Sequence, residues 1–212
     1  MIRVRKSTSI PKSLLTTKVY DGQDVQRQLL NDQYRKCYIC ECLVEPNYHI
    51  EHLDSHTNRQ DWENLFLSCG YCNVKKLGLY DDILNPATNN IEEIIEQYLD
   101  TYSKKADFRS NDTSTSVVKT IKLLNAVYNG KKQNPNLRTP HEEILYDKVE
   151  LLYNDFMKKV IAYRLQDTQE NENIIRQDLA IDKEILGFKY WIIRKEPVLN
   201  KVFADDIIWI KQ

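Results

Sequence analysis

Two Cys-x-x-Cys pairs, Cys37-Tyr38-Ile39-Cys40 and Cys69-Gly70-Tyr71-Cys72, bracket 28 residues of this 212-residue chain. Zn²⁺ takes four soft ligands in a tetrahedron, and a Cys-x-x-Cys turn brings two thiolates to one ion. Two such pairs predict one closed structural zinc site made of Cys37, Cys40, Cys69 and Cys72, with the chain between them wrapped into a small module. The bland alternative is four buried, unliganded thiols. The fifth cysteine, Cys42, is expected to be free or to compete for the place of Cys40. The opening Met1-Ile2-Arg3-Val4-Arg5-Lys6 lacks the apolar core of a signal peptide. A cytoplasmic location is therefore expected, where paired cysteines hold metal rather than disulfides. No apolar run long enough to span a bilayer is present, so no membrane partner is expected.

The interior of the bracket holds three of the four histidines, His49, His52 and His56, and exceeds the ~15–20 residues of a common zinc ribbon. Residues 48–52 and 65–68 are expected to pair as a hairpin, and residues 69–77 to turn into a helix ending near Gly78. Hydrolysis of a phosphodiester needs a base for water and a cation for the charge that builds on phosphate and leaving oxygen. Histidine suits the first task. A hard divalent ion such as Mg²⁺ or Mn²⁺, held by oxygen ligands, suits the second. Glu51 and His52 supply a carboxylate and an imidazole side by side, and Asn73 brings an amide oxygen from the start of the following helix. Neighbouring residues of a strand face opposite ways. The strand is therefore expected to end or bulge at Glu51-His52, which the loop through Ser55 and Asn58 permits.

The succession Cys-x-x-Cys, Glu51-His52, Asn64-Leu65 and Cys-x-x-Cys-Asn73 with a trailing Lys76 resembles the HNH endonucleases of ββα-metal fold, over roughly residues 30–78. By that resemblance His52 is the general base, Glu51 and Asn73 bind the catalytic ion, and Asn64 braces the hairpin loop beside the catalytic histidine. Asn73 in the last position matches the HNN subgroup. A narrower likeness rests on the Arg/Lys start with Pro11 and a following Leu, on the centre running from Ile50-Glu51-His52 to Asn64-Leu65-Phe66-Leu67-Ser68-Cys69-Gly70-Tyr71-Cys72-Asn73, and on the helical second half. These are similar to the PtuB-like nuclease subunits of Septu and retron-associated anti-phage systems. That resemblance implies an SMC/ABC-like ATPase as partner and nucleic acid as substrate, DNA first and RNA second. After His52 the chain departs from the pattern. Leu53-Asp54-Ser55-His56 stands where such proteins often carry a Phe-Arg-Pro-Lys-like segment, so no phosphate contact carries over to this loop.

Outside the bracket, scarce Gly (5) and Pro (6) favour helices over a turn-rich β fold. The expected class is mainly α with a small β-hairpin: a zinc-stapled ββα-metal module over residues 31–80, preceded by a basic arm and lead-in helix (1–30) and followed by a helical region (81–212). Residues 1–20 look extended, with Pro11 against an early helix, and residues 24–34 form the lead-in helix. Ile91, Ile94, Ile95, Tyr98, Leu99 and Tyr102 make one apolar stripe at helical spacing. Residues 107–116 read as a polar loop. Val117, Ile121, Leu124 and Tyr128 mark a helix stopped by Gly130. Thr139-Pro140-His141-Glu142 is a capping box opening a long helix with Leu145, Val149, Leu152, Phe156, Val160 and Tyr163 on one face. A further helix carries Ile174, Ile175, Asp178, Leu179, Ile181, Ile185 and Leu186 and ends at Gly187. Residues 188–212 fit strand or helix equally.

The net charge of -1 is low for a protein that binds nucleic acid unaided. The one basic run, Arg3, Arg5, Lys6, Lys12 and Lys18, is either an arm for phosphates or an acidic partner, or a solvated terminus. His49, His56 and Lys76 are candidate phosphate or ligand contacts. Against that, His49 reads as a partly buried strand residue, His56 as a solvated loop residue and His141 as surface. Trp191 and Trp209 read as core rather than a base-stacking platform. The apolar surplus of the helical half, these tryptophans included, also suggests docking onto the larger ATPase. Two rival functions stand beside DNA cleavage: cleavage of a structured RNA such as tRNA, and a non-catalytic zinc-ribbon adaptor that has no need of Glu51, His52 and Asn73.

Overall fold

The computed structural model describes residues 1–44 and 46–210. Pro11 starts a helix instead of preventing one. It stands at the N-cap of α1 (Lys12–Thr16), where its missing N–H costs nothing. The lead-in helix α2 spans Gln23–Asp32 and buries Val25 and Leu29. The expected hairpin follows as β1 (Tyr48–His52) and β2 (Leu65–Cys69), antiparallel, with Tyr48 opposite Cys69 and His52 opposite Leu65. Leu65, Phe66 and Leu67 of β2 are fully buried. Gln33, just past α2, reaches β2 with both ends of its amide, donating to the Leu67 carbonyl and accepting from the Leu67 N–H. The helix α3 (Gly70–Lys76) then packs on the hairpin and closes at Leu77 and Gly78, the glycine adopting φ +68°.

The stripe from Ile91 to Tyr102 is not one helix. A single turn, α4 (Ile91–Ile94), leads into a second antiparallel hairpin, β3 (Glu96–Asp100) with β4 (Lys105–Arg109). Burial here alternates with period two: Gln97 and Leu99 face inward while Tyr98 is half exposed and Tyr102 wholly so. The deciding contacts are remote. Gln97 accepts from the Met1 α-amino group at 2.7 Å and donates to the Met1 carbonyl at 2.7 Å. Ala106 and Phe108 fill the inner face of β4, which the polar reading of residues 107–116 missed. The mainly helical expectation holds, with about half of the described residues in helix, but with two hairpins among them.

The helices α5 (Thr115–Tyr128) and α6 (Pro140–Leu165) follow as predicted. Gly130 takes φ +74° beyond α5, and the capping box opens α6 with Thr139 N–H donating to Glu142 Oε2 at 2.8 Å. The next helix, α7 (Gln169–Asp178), stops nine residues short of Gly187. Gly187 lies instead in the first turn of α8 (Leu186–Lys195), where a Cβ would stand 2.5 Å from the Gln97 amide. That glycine permits a close approach rather than ending a helix. The tail is helical in α8 and α9 (Pro197–Phe203), with a last 3₁₀ turn over Ala204–Ile207. Residues 211 and 212 of that tail lie outside the described residues.

One apolar core runs from Met1 through the hairpin and α5 to Phe188, without a break at residue 80. A second packs Phe156, Val160 and Tyr163 of α6 against α7, α8 and α9. Trp191 and Trp209 belong to this second core, their indole N–H groups donating to the carbonyls of Ile95 and Leu179. No helix among the described residues is long and apolar enough to cross a membrane.

Candidate active site

The sulfurs of Cys37, Cys40, Cys69 and Cys72 lie within 4.8 Å of one another, and those of Cys40 and Cys69 are 3.9 Å apart. With Zn–S bonds of ~2.3 Å, a tetrahedral site separates its sulfurs by about 3.8 Å. The cluster thus has the donor set and the spacing of a structural zinc site. Its first half is a knuckle in which Cys37 N–H donates to the Cys42 carbonyl, Glu41 N–H donates to the Cys37 carbonyl, and Glu41 takes φ +59°. Tyr38 N–H donates to the Leu67 carbonyl and stitches the knuckle to β2. Cys42 is buried outside the cluster.

Beyond β1, the loop to β2 is held from inside by Asn64. Its side chain accepts from Asp54 N–H at 2.8 Å and donates to the Asp54 carbonyl and to Thr57 Oγ1. Its backbone carbonyl accepts from Leu53 N–H. A buried amide so occupied fixes where the strand ends, and the strand ends at His52 without a bulge.

Glu51 is buried beneath α3 and its Oε1 accepts from Lys76 Nζ at 3.1 Å. Lys76 is fully buried and also donates to the His52 carbonyl at 2.8 Å. Its ammonium therefore faces inward, where no phosphate reaches it. Burial raises the Glu51 pKa, and the Lys76 charge works against that rise. Among the described residues Glu51 Oε2 and the Asn73 amide make no hydrogen bond. Asn73 precedes Lys76 by one helical turn, so the two share a face of α3.

His52 stands at the strand end with Nε2 at 3.1 Å from the Arg59 carbonyl and its ring edge-on to Tyr20, centroids 5.0 Å apart. A carbonyl can only accept, so Nε2 carries the proton and Nδ1 keeps the lone pair. Burial lowers the His52 pKa; the contact to the Arg59 carbonyl opposes that, and the charges of Arg59 and Lys76 add to it. Glu51, His52 and Asn73 line one open cleft of about 550 Å³, with Tyr20, His49 and Arg59 around it. Two oxygen donors beside open space fit a Mg²⁺ or Mn²⁺ ion, which binds through one or two carboxylates or amides and keeps several waters.

His49 is exposed rather than partly buried. It also lines a larger neighbouring groove with Lys75 and His141. His56 is exposed, 3.5 Å from Asp81. Tyr20, Arg59 and Asp81 are structural neighbours of the site that sequence reasoning missed. Asp81 accepts from Ser55 N–H and Oγ, tying the loop after β1 to the segment after α3. No local pattern marks these residues.

The basic start is docked through Arg3, Val4 and Lys6 rather than free, while Arg5, Lys12 and Lys18 are exposed, as a solvated terminus would be. Val4 N–H donates to the Pro86 carbonyl, Arg3 N–H donates to Glu92, and Lys6 donates to the Leu65 carbonyl. Lys6 lies over the rings of Trp62 and Phe66, and burial pulls its pKa down to about 7. No protein-family model, curated protein or solved structure matches the chain.

Proposed function

We propose that this chain is a metal-dependent endonuclease of the HNH type, its Cys₄ site holding a structural Zn²⁺. The observation that carries this reading is the convergence of Glu51, His52 and Asn73 on one cleft at the end of a hairpin braced by Asn64. Neutral His52 takes a proton from water at Nδ1, and the freed oxygen attacks phosphorus while the P–O bond to the leaving oxygen breaks. Glu51 and Asn73 would hold a divalent ion, which when bound supplies charge stabilisation to the phosphate and the leaving oxygen. Lys76 opposes the rise that burial gives the Glu51 pKa and fixes one of its carboxylate oxygens, and the Arg59 carbonyl keeps His52 in the tautomer that can accept.

A net charge of -1 is small for a protein that must neutralise about 6–10 phosphates by itself. This supports a role as the nuclease subunit of a larger assembly, with the ATPase that the PtuB-like resemblance implies supplying the grip. DNA is the first substrate to test and structured RNA the second.

The test is incubation of the full chain, alone and co-purified with a neighbouring ATPase, with plasmid DNA and with total RNA, plus Mg²⁺, Mn²⁺ or EDTA. Cleavage that needs the divalent ion and is lost in His52→Ala is expected. Intact zinc-loaded protein that cuts neither polymer under any condition would leave the zinc-ribbon adaptor instead.

A further inference from the structure

Helix α6 has two apolar faces. One is buried in the two cores through Tyr146, Val149, Phe156 and Val160. The other is open: Ile144, Leu151, Ile161 and Leu165 are 68%, 70%, 50% and 79% exposed. Ile144, Leu151, Lys158 and Leu165 recur every seven residues, and Asp147, Asn154 and Ile161 recur every seven between them. That is the spacing of a coiled-coil seam, and all seven residues are exposed.

The seam carries polar residues, and they say what covers it. Laid antiparallel on a second copy of itself, it sets Ile144 against Ile161, Leu151 against Asn154 and Asp147 against Lys158, each contact occurring twice about a two-fold axis. On the flanks the same register sets Glu143 against Arg164 and Lys148 against Asp155. Each charge in these pairs meets its opposite, and the remaining flank charge, Glu150, meets Met157. Parallel pairing in register would set Asp147 on Asp147 and Lys158 on Lys158. Among the described residues neither Asp147 nor Lys158 makes an ion pair within the chain. Three of the four paired flank residues, Lys148, Asp155 and Arg164, also pair within the chain, with Glu184, Lys159 and Glu196.

We propose that α6 pairs antiparallel with α6 of a second copy, giving a two-fold dimer centred near Leu151 and Asn154. The pairing is independent of the nuclease reading. It brings the far end of the second copy's α6 beside Thr139 and His141, which border the groove next to the cleft. A single helix pair falls near the low end of stable interfaces, about 1,200 Å², so association is looked for from micromolar concentrations upward.

Sedimentation equilibrium of the full chain across that range tests the proposal, with circular dichroism and zinc content as controls of folding. The mass is expected to rise from 25.1 kDa toward twice that value. Lys158→Asp faces Asp147 twice and weakens association about tenfold or more. Asp147→Lys/Lys158→Asp restores it to within about threefold, because the pair is only exchanged. Leu151→Asp abolishes it. A mass of 25.1 kDa at every concentration overturns the proposal, including the case in which the stripe instead captures a different protein. So does a dimer that survives both single variants, or a charge exchange that fails to restore the loss.

Discussion

Lys76 Nζ lies 3.1 Å from Glu51 Oε1 and 2.8 Å from the His52 carbonyl, so one fully buried ammonium docks both residues of the strand end onto α3. Lys76→Met leaves the Glu51 charge buried without that partner, and breaking a buried pair from one side costs about 3–5 kcal/mol. Lys76→Met/Glu51→Gln removes the orphaned charge and is expected to recover most of the loss. Urea midpoints at unchanged m measure both. A loss below about 1 kcal/mol in the single variant would mean that the pair behaves as an exposed one.

The same pair changes how the proposed chemistry is tested. Glu51→Ala would leave Lys76 only the His52 carbonyl and the longer contact to Asp81 at 3.7 Å, so Glu51→Gln is the cleaner change. Asn73→Ala and Glu51→Gln are expected to slow cleavage and to recover partly in high Mn²⁺, because each weakens an ion site. His52→Ala is expected to lose about 10²–10⁴ in rate and not to respond to metal. Equal rescue of all three would dissolve the division between base and ligands.

The hairpin and its helix were legible because their signals are local: two cysteine turns, an alternating strand, and a glycine after the last helical turn. The capping box at Thr139 and Glu142 was legible for the same reason. Residues 96–109 were not. Ile95, Tyr98 and Leu99 fit a helical stripe as well as a strand, and the choice is made by Gln97 binding Met1 at a sequence distance of 96 residues. Gly187 signals a helix end to any local rule, yet it is needed where α8 touches Gln97. At the site, Glu51, His52, Asn64 and Asn73 declare themselves by type and order. Lys76 is marked by the motif too, but as a phosphate contact and not as the buried partner of Glu51, since a lysine in the last turn of a helix is ordinarily solvated and only the tertiary fold turns it inward.

The cysteine cluster sets the next expectation. Cys37→Ser, Cys40→Ser, Cys69→Ser and Cys72→Ser should each lose the metal and the soluble fold, whereas Cys42→Ser should keep both, since Cys42 joins the knuckle through its backbone carbonyl. A structural zinc contributes about 10–16 kcal/mol, and a whole domain is stable by only about 5–15 kcal/mol. Stripping the ion should therefore unfold the module and, through the continuous core, reach α5, because Tyr71 and Tyr128 hydroxyls donate to the carbonyls of Val127 and Cys40. Metal analysis with thermal melts before and after chelation decides it. A chelated protein that melts at the same temperature would remove zinc from the account of the fold.

Glu142 gives the fold a defined acid limb. Burial would raise its pKa, but the Lys75 ammonium and the N–H groups of Thr139 and Lys131 outweigh burial and hold it down at about 2. A carboxylate whose pKa is lower in the folded than in the unfolded chain binds fewer protons when folded. Its stabilisation is fully present above the unfolded value of 4.5 and is lost as pH falls toward 2. Glu142→Gln keeps the shape and one acceptor but forfeits the charge. The stability difference between wild type and variant, read from urea unfolding at a series of pH values, should be constant from neutral pH down to about pH 5 and then shrink steadily toward pH 2. Taking the difference cancels other acid-labile groups, the cysteine thiolates of a bound zinc included. A difference that stays level across the whole acid limb would mean that Glu142 contributes by packing against Gly130, whose Cβ position it nearly touches at 2.7 Å, and not by its charge.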